Sequence, residues 1–89
     1  MKSMHCLLSG KVQGVSFRFW TRDQAKSLGI TGWVRNLHDG RVEVLAQGDD
    51  ETLAEFKTRL LQGPPMSSVK NAECKTIDDD QSYSAFEIV

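Results

Sequence analysis

"MHCLLSGKVQGVSFRFWTRDQAKSLG", residues 4–29, contains the change of pattern that decides the fold. "MHCLLS" is a short apolar run ending at Gly10, and it predicts a strand from about Met4 to Ser9. From Phe17 to Leu28, the residues Phe17, Trp20, Ala25 and Leu28 fall on one side of a helical wheel, and Gly29 supplies a stop. A helix is expected there. Between strand and helix lies a turn containing Gly14. Such a turn exposes successive backbone N–H groups with the helix dipole behind them, which suits an anion.

Outward from this unit, "ITGWVRN" (30–36) favours a strand and "LHDG" (37–40) a turn, with Gly40 at positive φ. "RVEVLAQG" (41–48) alternates Val42, Val44 and Ala46 against Arg41, Glu43 and Gln47, as a half-buried strand does. Asp49 or Asp50 caps a second helix with the apolar stripe Leu53, Phe56, Leu60 and Leu61, which Gly63, Pro64 and Pro65 end. "SVKNAECKTI" (68–77) and "SAFEIV" (84–89) predict two more strands. The order β-α-β-β-α-β, with an extra short C-terminal strand, predicts a ferredoxin-like α+β sandwich. One antiparallel sheet is expected, with both helices on one face.

A chain of 89 residues, 39% hydrophobic and 26% charged, fits one globular domain spanning 1–89. A net charge of −1 and a pI near 6.1 argue against bulk attraction to nucleic acid or an anionic membrane. Anion binding must then come from a few placed groups. Cys6 and Cys74 have no metal-site spacing and read as thiols in a reducing compartment. One disulfide is the alternative if their strands are neighbours. "MKSMHCLLSG" has too short an apolar run for a signal peptide or membrane span, so the cytoplasm is expected.

In this fold the first and second strands run parallel with the third between them, so their C-terminal ends share one end of the sheet. Two strand spacings, about 10 Å, then separate the turn carrying Arg18 from Asn36. The N–H groups of Gly14, Val15, Ser16, Phe17 and Arg18 suit a tetrahedral dianion, and the Arg18 fork matches phosphate oxygens. The Gly-Lys pair of "SGKVQG" is no nucleotide loop, because Val12 stands where Ser or Thr is required.

These residues also carry a family resemblance. "GKVQGVSFR" (10–18) resembles the first acylphosphatase signature, G-x-V-Q-G-V-x-F-R. "GWVRNLHDGRVEVLAQG" (32–48) resembles the second. The resemblance implies hydrolysis of the carboxyl–phosphate anhydride bond of acyl phosphates, without metal or other cofactor. It implies that the loop and Arg18 bind phosphate, while Asn36 orients the attacking water. A small-molecule acyl phosphate is the expected partner, inorganic phosphate a product, and the protein a monomer.

The chemistry is consistent with the residues. A carboxylate leaves without protonation because its acid has a pKa of about 4. A phosphomonoester instead expels an alkoxide, which needs a general acid or a metal. Asn36 can aim a water but cannot take its proton at neutral pH. His38 reads as an exposed turn residue, Arg35 as a solvated charge on the face opposite Asn36, and Phe17, Trp20 and Trp33 as core aromatics. Phe19 falls on the polar side of its helix, where the pattern gives it no role.

Two other readings compete with this one. A phosphate- or RNA-binding module of the same fold would stack bases on aromatics of its central strands, and "MHCLLS" and "RVEVLAQ" have none. A domain resembling the acylphosphatase-like segment of a hydrogenase maturation protein would sit within a much longer chain. A standalone enzyme is expected.

Overall fold

Period-two alternation selects the face of each strand that meets the helices. In the computed structural model, which describes residues 2–78 and 81–89, the elements are β1 (Lys2–Lys11), α1 (Phe17–Ser27), β2 (Thr31–Asn36), β3 (Val42–Gln47), α2 (Asp50–Gln62), β4 (Ser68–Asp78) and β5 (Phe86–Ile88). Met4, Cys6 and Leu8 of β1, Val34 of β2, and Val42, Val44 and Ala46 of β3 form the sheet side of the core. Phe17 and Ala25 of α1, with Leu53, Phe56 and Leu60 of α2, close over them. Leu61 of the expected stripe is 48% exposed, because it lies one position around the helix from Leu60.

The helix ends follow local chemistry. Asp49 caps α2, its carboxylate accepting from the Thr52 N–H at 2.7 Å. α1 ends at Ser27 with Leu28 as its C-cap, and Gly29 takes a φ of 71° as the C′ residue.

The strand order is β4-β1-β3-β2-β5. β1 pairs antiparallel with β3 and β4, and β2 antiparallel with β3, so β1 and β2 are parallel with β3 between them. β5 pairs parallel with β2. The sheet is therefore mixed rather than wholly antiparallel. β4 ends beside the start of β1, and the chain enters β5 from that same end.

Residues 81–83 lie against the face of the sheet opposite the helices and bury part of it. Gln47 fixes them: its Nε2 donates to Gln81 O at 2.7 Å and to Ser3 Oγ at 3.0 Å, and its Oε1 accepts from the Tyr83 N–H at 3.1 Å. Gln47, expected on a polar face, is thus only 2% exposed. Trp33 also departs from expectation. Val34 points into the core, so its neighbour Trp33 takes the other face, opposite Leu45. There the Arg35 guanidinium stacks on it, 5.2 Å from the ring centroid. Arg35 also donates to Glu43 at 2.6 Å, and His5 meets the second oxygen of that carboxylate at 2.7 Å. Burial pushes the Glu43 carboxyl up, but these two hydrogen bonds outweigh it and hold the carboxyl below its ordinary value.

Cys6 and Cys74 are disulfide-bonded, which corrects the reading as free thiols. They stand directly opposite each other on β1 and β4, with Cα atoms 4.1 Å apart. Spacing in sequence conceals that pairing; the strand register creates it.

Candidate active site

The turn from β1 into α1 departs from ordinary backbone at two points. Gly14 has a φ of 75° and Ser16 a φ of 61°, both left-handed. Glycine takes this conformation without a Cβ penalty, whereas serine does so at a cost of about 1 kcal/mol. Ser16 is the N-cap of α1, yet its hydroxyl caps no N–H group. The first bond into the helix runs from the Trp20 N–H to Ser16 O, at 3.0 Å. The N–H groups of Phe17, Arg18 and Phe19 are therefore left without intrahelical acceptors. Together with those of Gly14, Val15 and Ser16, they find no acceptor among the described residues. A row of free donors at a helix N-terminus is an anion-binding surface.

A cavity of about 240 Å³ opens at this turn, lined by Val12, Gln13, Gly14, Ser16, Phe17, Arg18, Phe19 and Asn36. It brings together Arg18 at the start of α1 and Asn36 at the end of β2, as the strand order requires. Arg18 is half-buried, and its guanidinium makes no hydrogen bond or ion pair among the described residues. Asn36 is exposed. Of the expected loop residues, Val15 alone does not line the cavity; it packs half-buried against the core.

Two lining residues had no assigned role. Gln13 ties the loop to the β2–β3 turn: its Nε2 donates to Leu37 O at 2.8 Å and to Arg41 O at 2.9 Å. The arginine-side and asparagine-side segments are thereby fixed to each other. Gln13 lies inside "VQG", but nothing in that motif specifies its partners. Phe19 is the other, and it is 52% exposed.

Among the described residues no carboxylate or imidazole lines the cavity. His38 is exposed in the turn and contributes nothing to the lining. Asp39, next to it, accepts from the Arg41 guanidinium at 2.8 Å, and that hydrogen bond holds its carboxyl below the usual range. Among the described residues no three His, Cys, Asp or Glu side chains gather as metal ligands. The lining offers one permanent cation, a row of N–H donors and a side-chain amide. These groups can grip a tetrahedral anion and hold a water, and none of them can protonate a leaving group.

Comparison with known proteins points the same way. The family model described as Acylphosphatase matches residues 4–88. An acylphosphatase of Halorhodospira halophila is 51% identical over 74 residues, covering 83% of this chain and 80% of its own length. One from Archaeoglobus fulgidus is 42% identical over 88 residues, covering 99% of this chain and 98% of its own. The crystal structure of acylphosphatase from Bacillus subtilis matches with a TM-score of 0.96 at 34% identity, covering 100% of this chain and 99% of that one. On a family match running from strand β1 into β5 and relatives matched over 80% and 98% of their own length, the chain belongs to the acylphosphatase family.

Proposed function

We propose that the Arg18–Asn36 cavity is where this acylphosphatase cleaves the carboxyl–phosphate bond of an acyl phosphate. The Arg18 fork and the N–H groups of residues 14–18 bind the nonbridging oxygens. The Asn36 amide holds a water in line with the bond to be broken. The water oxygen bonds to phosphorus as the phosphorus–oxygen bond to the acyl group breaks, and its electron pair leaves with the carboxylate. A phosphate oxygen of the substrate takes the water's proton, since among the described residues no lining side chain is a base. Carboxylate and inorganic phosphate are the products.

The observation that supports this most is that one cavity combines Arg18, Asn36 and an N–H row that, among the described residues, has no acceptor and no acid beside it. Phosphoryl transfer of this kind needs position and charge more than proton transfer. The same reading has residues 1–89 acting as one domain, as a monomer in the cytoplasm, with no metal and no nucleic-acid partner. The net charge of −1 and the absence of aromatics from β1 and β3 support the last point.

The test is hydrolysis of benzoyl phosphate and p-nitrophenyl phosphate in EDTA. The wild type should turn over the first and leave the second nearly untouched. Arg18→Ala and Asn36→Ala, both folded, should each lose on the order of 10²-fold or more, as when an oxyanion-hole donor is removed. Variants as active as the wild type would contradict the assignment.

A further inference from the structure

Phe19 is 52% exposed, and among the described residues it is the only aromatic with a largely exposed side chain. It also lines the cavity. Of the apolar groups there, Val12 and Phe17 are each only 1% exposed and belong to the core, so Phe19 supplies the accessible apolar surface. Its ring is braced by its own helix. The Arg22 guanidinium, one turn on, lies 5.4 Å from the ring centroid and is not itself part of the lining. On the core side, Phe17 packs against Trp20 at 5.6 Å between centroids. The Arg22 contact ties the Phe19 ring to its own helix, next to Arg18 in the lining.

We infer that Phe19 is the acyl-group subsite of this enzyme, selecting acyl phosphates whose acyl group is apolar and planar over those with a bare acetyl group. The inference rests on the reading of Arg18 and residues 14–18 as the phosphate-binding part of the site. With phosphorus held there, in-line attack requires the acyl oxygen to point away from the water on Asn36. The acyl group then leaves the polar part of the cavity, and the apolar surface it can meet is the Phe19 ring. An aromatic acyl group buries ring area against Phe19 and gains an aromatic pair. An acetyl group is too small to do either.

The experiment measures kcat/KM for benzoyl phosphate and acetyl phosphate with the wild type, Phe19→Ala and Phe19→Tyr. Phe19→Ala should lower the benzoyl-to-acetyl ratio by about 3- to 10-fold, the size of one aromatic contact. Phe19→Tyr, which keeps the ring, should restore the ratio to within about twofold of wild type. An unchanged ratio in a folded Phe19→Ala variant would overturn the inference and leave the acyl-phosphate reading standing. A wild type that hydrolyses neither compound would overturn both.

Discussion

The side-chain amide of Gln13 donates to the carbonyl oxygen of Leu37 at 2.8 Å, joining the loop that carries Arg18 to the residue that follows Asn36. A second bond from the same nitrogen, to Arg41 O at 2.9 Å, grips the far side of the β2–β3 turn. The distance between the two proposed working residues is thus set by one partly buried amide as well as by the sheet.

Gln13→Leu removes both donors while keeping much of the side-chain volume. It should cost about 1–3 kcal/mol of stability for the two hydrogen bonds. It should also lower kcat about 10-fold or more, since a misplacement near 1 Å can cost as much as 10²-fold. A purely structural role would lower stability and leave kcat intact at temperatures where the variant is folded. Stopped-flow kinetics beside thermal unfolding separates the two.

How much of this was legible beforehand follows from the range of each interaction. Gly29 ending α1, Asp49 capping α2 and the alternation of Val42, Val44 and Ala46 are local, so sequence spacing discloses them. The convergence of Arg18 and Asn36 needs only the parallel relation of β1 and β2, which the element order implies. Gln13, Gln47 and the Cys6–Cys74 bridge depend on which backbone or strand lies opposite, and no local pattern encodes that. Trp33 was misplaced for another reason. An aromatic between Gly32 and Val34 suits either face, and only the position of Val34 in the core decides. Ser16 in left-handed conformation carries no compositional signal, because serine is not enriched there.

The Cys6–Cys74 bridge spans 68 residues, and closing a loop that long restricts the unfolded chain by up to about 4 kcal/mol. Reduction, or the Cys6→Ala/Cys74→Ala pair, should therefore lower Tm markedly. Neither cysteine lines the cavity, so kcat at 25 °C should stay within about twofold of the oxidised protein. Thermal unfolding with and without reductant checks the first expectation and initial rates the second. An unchanged Tm would show that the bridge contributes nothing in solution.

Glu43 gives a pH signature. Its folded-state carboxyl binds its proton more weakly than the unfolded one does, because His5 and Arg35 both engage the charged form. The stability it adds is present above the unfolded value of about 4.3 and is lost as pH falls through the lower folded value. Between pH 5 and 3 the wild type should therefore lose stability more steeply than Glu43→Gln, by at most about 1.4 kcal/mol per pH unit for one proton. Urea unfolding across that range measures it. Parallel curves would show that the pair of contacts does not favour the carboxylate.

The central claim is a division of labour, with Arg18 and the 14–18 loop holding phosphate and Asn36 holding water. It is tested most directly by titrating inorganic phosphate, in EDTA, into the wild type, Arg18→Ala and Asn36→Ala by calorimetry, alongside kcat for benzoyl phosphate. Arg18→Ala should lose phosphate binding by 10-fold or more, in line with about 1.5–3 kcal/mol for a charged hydrogen bond. Asn36→Ala should bind phosphate within about threefold of wild type and still lose kcat by about 10²-fold. Phosphate bound equally by the wild type and Arg18→Ala, or lost equally in both variants, would contradict the account.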